Sequence, residues 1–305
     1  LLGLTNCGKS SLLALVTNAK VEVSQTPYTT KEPTPGTMNY KDMQFQIIEA
    51  PALMEGSADG KAWGLQTLAL ARNADGLVLM VDLSNEPVGQ LSTILNELEK
   101  ARISVLKPKG RVEIERKFMG AGLRIIIVGK LVDCTLKDVE ELLKSYRITD
   151  AFVKISGEVK LDEVEDAVFE SVVYKPTVIV ANKADLDPAG DALKLLESYF
   201  GGKLPILAFS CKKGQGLEKF GETLFNALDV IRVYTKEPSE KEHSKKPFIL
   251  KKGATVYDLA RNIHSDFSER FAFAKVWSKR LVFSPQKVGL TFTLDDEDIV
   301  EIHTR

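Results

Sequence analysis

Cysteine is scarce in this chain. Cys7, Cys134 and Cys211 are the only three in 305 residues, far apart and odd in number. They supply neither a disulfide framework nor zinc-ligand spacing, which points to a reducing, cytoplasmic setting. The three histidines, His243, His264 and His303, are too scattered for a metal centre. No apolar run approaches the roughly 18 residues of a membrane span and no secretory signal is visible, so no membrane partner is expected. Charge of one sign is also lacking. A formal net charge of −1 argues neither for nor against a nucleic-acid partner, because a basic face can be balanced elsewhere. What remains, 44% hydrophobic and 27% charged, is ordinary for a soluble globular chain, and its length allows two or three domains.

Against this plain background one stretch organises the rest. Gly3-Leu4-Thr5-Asn6-Cys7-Gly8-Lys9-Ser10 fits G-x-x-x-x-G-K-[ST], a phosphate-binding P-loop. Gly3 and Gly8 let the backbone wrap a phosphate chain, with the N–H groups of Thr5, Asn6, Cys7 and Ser11 among those available to anionic oxygens. Lys9 is the point charge for the terminal phosphates and Ser10 the hydroxyl ligand of Mg²⁺. Ser11 to Val16 reads as a helix whose positive end lies under the phosphates. Only Leu1 and Leu2 precede Gly3, fewer than the five or six residues of a usual strand, so the chain is expected to continue upstream.

Ser24 to Gly36 carries three prolines and reads as an irregular loop. Its distance from the P-loop makes it a switch candidate, with Thr30 or Thr29 as a second protein ligand of Mg²⁺. Two apolar strands follow, Phe45–Ile48 and Gly76–Asp82, the second hydrophobic throughout as a parallel strand buried on both faces would be. A helix around Val88 to Ala101 leads into an inserted α/β unit. Its strand-like runs Arg111–Lys117 and Leu123–Val128 flank a glycine-rich turn, Met119–Gly122. A Thr135–Asp138 helix cap, a strand near Ala151–Ile155 and a helix from Leu161 to Ser171 complete it. Lys107, Lys109, Arg111, Arg116 and Lys117 make its start basic, either as a solvated face or as an RNA- or partner-facing patch.

Thr177–Ala181 resumes the main sheet and runs into Asn182-Lys183-Ala184-Asp185, a guanine-reading Asn-Lys-x-Asp sequence. Asp185 can accept from both N–H groups on the guanine edge, Lys183 can pack over the ring and Asn182 can brace the P-loop. The strand Leu204–Phe209 delivers Ser210-Cys211-Lys212, whose backbone N–H groups suit the guanine oxygen. Cys7 and Cys211 read as small loop residues rather than nucleophiles. A charged, proline-bounded stretch from Thr235 to Pro247 reads as a linker or exposed loop. Beyond it one helix, capped at Thr255–Asp258, and four or five short strands suggest a β-grasp. There Lys275, Lys279, Arg280 and Lys287 form an expected basic face opposite Asp295–Asp298, and Trp277 is either core or a base-stacking platform.

In this order the motifs resemble the Obg-like P-loop GTPases, and within them the developmentally regulated GTP-binding (DRG) family. The resemblance covers nearly the whole chain, including Glu55 to Lys61, the insertion before Asn182, and Leu250–Ala254, Val276-Trp277 and Ser284–Thr291, which look like a TGS domain. It implies an α/β fold: a Ras-like doubly wound sheet in residues 1–102 and 172–234, an inserted α/β subdomain at 103–171, and a TGS β-grasp at 235–305. It implies a slow GTPase using GTP, Mg²⁺ and K⁺, a monomer docked on a ribosome or RNA through the TGS-like domain and the basic insertion, with room for a dedicated partner protein. The resemblance further implies that Lys9, Asn6 and Thr30 carry catalysis, that Ser10, Thr30 and, through water, Glu49 hold Mg²⁺, and that Asn6 holds K⁺ where Leu53 replaces a water-orienting Gln. The chain departs from the family's Asp-x-Pro-Gly, having Glu49-Ala50-Pro51-Ala52 with Ala52 as the γ-phosphate contact. Two rivals therefore stand beside the enzyme: a GTP-sensing adaptor with little hydrolysis, and an RNA-binding protein with a structural nucleotide.

Overall fold

The computed structural model describes residues 1–19, 32–116, 120, 122–169, 171–200, 202–238, 240, 242–264 and 270–304. The chain opens with β1 (Leu2–Gly3), α1 (Lys9–Val16), β2 (Thr34–Tyr40), β3 (Met43–Glu49), α2 (Gly64–Asn73), β4 (Leu77–Asp82) and α3 (Pro87–Lys100). Next come β5 (Ile103–Ser104), β6 (Gly110–Arg116), β7 (Leu123–Leu131), α4 (Leu136–Ser145), β8 (Ala151–Val159), α5 (Leu161–Val168) and β9 (Val173–Tyr174). Then β10 (Thr177–Asn182), α6 (Asp191–Phe200), β11 (Ile206–Ala208) and α7 (Leu217–Leu228) return to the first unit. The chain ends with β12 (Val230–Thr235), β13 (Phe248–Lys251), α8 (Val256–Ile263), β14 (Phe271–Trp277), β15 (Gln286–Val288) and β16 (Asp298–Thr304).

The first unit is built on a parallel sheet in the order β1-β4-β10-β11. Every residue of β4 and β10 is buried, which their unbroken apolar runs require. Alternation then splits β4 between two cores. Leu77, Leu79 and Val81 pack with Leu91, Ile94 and Leu98 of α3. Val78 and Met80 pack with Leu12 and Leu13 of α1 and Phe220 and Leu224 of α7. The result is an α/β doubly wound fold with its loops gathered at the carboxyl ends of the strands. Among the described residues no helix is long and apolar enough to cross a membrane.

The expected irregular loop ends earlier than its composition suggests. Thr34, Pro35 and Gly36 begin β2, which pairs with β3 along its whole length as a two-stranded hairpin. Pro35 is tolerated because β2 is an outer strand. At Gly36 a Cβ would lie 2.4 Å from Thr17 Oγ1, so the close approach to the end of α1 needs glycine. The hairpin meets β1 through Ala50 N–H donating to Leu1 O at 3.1 Å.

The insertion has its own core of Val139, Leu143, Val153, Ile155 and Val164. Its two expected strand runs do not pair with each other. Instead β8 lies between them, antiparallel to β6 and parallel to β7. The β7–α4–β8 crossover is stiffened by the Thr135–Asp138 box, with Thr135 N–H donating to Asp138 at 2.7 Å. Lys117 and Met119 lie outside the described residues. The insertion leaves and rejoins the first unit through β5 and β9, which pair in parallel side by side.

In the C-terminal unit the sheet order is β13-β12-β16-β14-β15, with α8 across it. Its sheet starts with β12 at 230, ahead of the expected boundary at 235. The visible break in composition marks the charged stretch, whereas ladder bonds from β12 to both β13 and β16 set the actual edge. The unit meets the first one through Tyr234 Oη donating to Asp42 at 2.6 Å. Beside it, Arg232 is 2% exposed, stacks 5.5 Å from the Phe225 ring and donates to Asp296 and Glu297 at 2.8 Å each. The expected basic face is largely neutralised within the domain. Lys275 pairs with Glu301 at 2.9 Å, Lys279 with Glu297, and Arg280 approaches Asp298 at 3.7 Å. Trp277 is half-buried beneath the Lys236 ammonium, 4.6 Å from its ring centre.

Removing Arg232 takes the guanidinium from partly exposed Asp296 and leaves Glu297 with Lys279. Arg232→Ala should lower the unfolding free energy at pH 7 by roughly 2 kcal/mol, below the value for a fully buried pair because its partners keep some solvent. Burial opposes the charge on Asp296, and bonds from Arg232 outweigh it, so its pKa is lowered; Glu297 is lowered by Lys279 and then Arg232. Lowered carboxyl pKa values stabilise the fold above the ordinary carboxylate range near pH ~4 and lose that contribution as pH falls through the folded values. Urea denaturation should therefore show the wild-type advantage shrinking below pH ~4.

Candidate nucleotide site

The P-loop joins β1 to α1 and turns through two left-handed residues, Asn6 at φ 60° and Gly8 at φ 99°. Gly8 is required twice over, since a Cβ there would lie 2.3 Å from Asn182 Nδ2. Gly3 passes so close to β4 that a Cβ would meet Met80 O and Cys7 Sγ at 2.6 Å. Lys9 is buried inside the loop, its ammonium donating to Leu4 O at 2.8 Å and Gly3 O at 3.2 Å. Those two carbonyls hold a charge that phosphate oxygens can take over. Thr5 and Ser11 are half-buried and Asn6 is exposed at the mouth.

Ser10 Oγ donates to Glu49 Oε1 at 2.6 Å, and Glu49 is 1% exposed at the end of β3. The carboxylate thus reaches the Ser10 hydroxyl directly. A hydroxyl beside a buried carboxylate is a hard oxygen donor set and fits Mg²⁺. Leu53 is buried against α3 and donates its N–H to Gly3 O at 3.1 Å. Ala52 is half-buried and is not one of the left-handed residues of this segment, which are Gly56, Gly60 and Ala62. Thr29 and Thr30, the expected further metal ligands, lie outside the described residues.

At the other end of the cradle, the carboxyl ends of β10 and β11 converge. Asn182 Nδ2 donates to Cys7 O at 2.9 Å, and Asn182 Oδ1 accepts from Cys211 N–H at 3.1 Å. One buried amide therefore ties the P-loop to the Ser210-Cys211 loop. Ser210 Oγ donates to Asp185 at 2.6 Å and accepts from Lys213 N–H at 3.2 Å. The Ser210 bond comes first among the causes that hold the Asp185 carboxyl below its usual range, so it remains an acceptor. Lys212 is exposed beside it. Burial raises both thiols, Cys211 to about 11, so neither is a nucleophile at neutral pH.

Lys183 stands in the left-handed region at φ 63° and pairs with Asp82 at 2.5 Å. Asp82 is a residue the motifs did not reveal. It ends β4, also accepts from Ser84, and has its backbone N–H bound by Gln90 at 3.0 Å. Its signal was an acid ending an otherwise apolar strand.

A phosphate cradle, a hydroxyl–carboxylate pair and a guanine-side acid, all fixed at the carboxyl edge of one parallel sheet, define a P-loop GTPase site. Residues 1–109 match a family model described as a 50S ribosome-binding GTPase, 120–230 the C-terminal region of that domain, and 231–304 a TGS domain. The chain is 32% identical over 302 residues to developmentally-regulated GTP-binding protein 2 of Homo sapiens, covering 99% of this chain and 81% of the relative. It is 33% identical over 302 residues to an uncharacterized GTP-binding protein of Methanocaldococcus jannaschii, covering 98% and 76%. Developmentally-regulated GTP-binding protein 1 of Xenopus laevis is 28% identical over 98% of this chain and 80% of its own length. The chain belongs to the developmentally regulated GTP-binding protein family. The TGS match begins within β12, as the sheet does.

Because Asn182 serves two loops at once, Asn182→Ala should cost about 2 kcal/mol of stability without nucleotide, near the sum of two buried hydrogen bonds. Calorimetric or urea unfolding of the nucleotide-free protein checks this. The same substitution should weaken guanosine diphosphate binding by at least about tenfold.

Proposed function

We propose that this protein hydrolyses GTP to GDP and phosphate, slowly and with Mg²⁺ and K⁺, and that hydrolysis resets a switch acting on a ribosome or RNA. The observation that carries the reading is the set of buried Lys9, half-buried Ser10 and buried Glu49 at the mouth of α1, joined through Gly3 O to the segment that bears Leu53 and Ala52. In this reading Lys9 leaves the Gly3 and Leu4 carbonyls for the terminal phosphate oxygens. Ser10 and, through water, Glu49 would hold Mg²⁺, which would supply charge neutralisation across the phosphates. Leu53 has no group to orient a water, so transition-state charge must be met elsewhere. The exposed Asn6 offers an amide oxygen for K⁺, whose charge would serve that end. Asp185, fixed by Ser210, selects guanine, with Lys183 moving from Asp82 to the ring face.

The description of the matched family model and the basic start of the insertion support docking on a ribosome or RNA in this reading. Lys109 and Arg116 there are exposed, while Lys107 is paired with Asp229 at 3.0 Å. The paired cations of the C-terminal unit favour recognition by shape and hydrogen bonding over a purely electrostatic patch. The protein acts in this reading as a cytoplasmic monomer.

Single-turnover hydrolysis with Mg²⁺ should run faster in KCl than in matched NaCl, with Lys9→Ala as the inactive control. Asn6→Ala should abolish the difference between the salts; a potassium response that survived it would remove Asn6 from the mechanism.

A GTP-sensing adaptor is favoured by one observation, the direct 2.6 Å bond between Ser10 and Glu49, which closes the metal-side gap. Glu49→Asp with Ala52→Gly discriminates. A gain of about tenfold or more in turnover supports the adaptor reading of the natural chain, whereas an unchanged or lower rate supports the enzyme.

A further inference from the structure

The segment after Leu53 is held from behind. It turns on itself through Ser57 N–H to Met54 O, Asp59 N–H to Gly56 O and Gly60 N–H to Ser57 O, each at 3.1 Å. Met54 N–H is bound in turn by Ser57 Oγ at 3.0 Å. At Gly64, which starts α2, an added Cβ would lie 2.2 Å from Ser57 O, so the turn is also packed tightly against the next helix. Two amides of this turn point away from it, toward α3. There Glu97, 1% exposed, accepts Gly56 N–H on Oε1 at 3.1 Å and Ala58 N–H on Oε2 at 2.6 Å. Lys100 donates to Oε1 at 3.2 Å. Burial by itself would raise the Glu97 pKa; the Ala58 and Gly56 amides and the Lys100 ammonium outweigh it and keep the carboxylate charged.

We infer that Glu97 is a positioning residue that locks the turn Met54–Lys61 onto α3 and so sets where Ala52 presents its N–H to a terminal phosphate. The inference rests on the GTPase reading above. Leu53 N–H is fixed on Gly3 O, only Met54 and Glu55 separate Leu53 from the first Glu97-bound amide, and Ala52 is the residue carried directly before that anchored stretch. Charge-assisted bonds to backbone amides are the stronger kind and fix both distance and direction. The guanine-side residues Asn182, Asp185 and Ser210 make their own contacts with one another's loops and none with Glu97. Glu97 should therefore govern discrimination of triphosphate from diphosphate and leave the grip on the base and inner phosphates intact.

The test measures equilibrium binding of GDP and of a non-hydrolysable GTP analogue to the full chain, by displacement of a fluorescent guanine nucleotide. Wild type, Glu97→Gln and Glu97→Ala are compared. Glu97→Ala should lose about tenfold in analogue affinity with GDP affinity held within about twofold, and Glu97→Gln, which keeps the volume and one acceptor, should fall between. Hydrogen exchange should show the Gly56 and Ala58 amides both deprotected in Glu97→Ala, and one of them in Glu97→Gln, while β4 and β10 stay protected. Equal loss for both nucleotides would reduce Glu97 to a structural role and overturn the inference. So would unchanged selectivity once those two amides are deprotected. Because binding is read and not turnover, slow or absent hydrolysis leaves the outcome intact. A wild-type chain that bound neither nucleotide would overturn the GTPase reading along with this one.

Discussion

The buried side-chain amide of Asn182 is the contact on which the site depends. A parallel sheet delivers its loops to one edge but does nothing to fix them relative to one another. Asn182 does so with both ends of its amide, one on Cys7 O and one on Cys211 N–H. The P-loop could not hold its left-handed turn at Gly8 against a larger neighbour, and Asn182 fills the space that the missing Cβ leaves. Phosphate cradle and guanine side are therefore tied together by one side chain.

Much of this was legible in the sequence because the relevant signals are short and their geometry is local. The P-loop and Asn-Lys-x-Asp sequence each combine fixed residue types with a strand before them, and the Thr135 and Thr255 caps need only three residues of spacing. The pairing of strands distant in sequence was harder to read. Nothing local distinguishes a β6–β7 hairpin from the arrangement found, in which β8 comes from farther along the chain to lie between them. Likewise β12 looks like the end of the first unit because no turn residue separates it from α7 apart from Asp229, left-handed at φ 54°. Lys183 on Asp82 escaped for the same reason: the two are brought together only by the β4–β10 register.

The charges in the C-terminal unit show a second limit of reading composition. Lysines and arginines near one another in sequence suggest a basic face, yet acids on a neighbouring strand take up most of them. Glu301 alone accepts from Lys236 at 3.3 Å and Lys275 at 2.9 Å. The fold has spent these cations on holding its own strands, and partner recognition must draw on other chemistry there.

The side-by-side exit and return of the insertion has a consequence for assembly of the molecule. β4 and β10 are neighbours in the sheet, yet the whole insertion separates them in sequence, so a chain without structure there would have a long loop to close. With its own core formed and its two ends clasped by β5 and β9, the insertion presents the rest of the chain with a short connection. In contact-order terms it works as a staple: the longest crossing in the main sheet becomes effectively local.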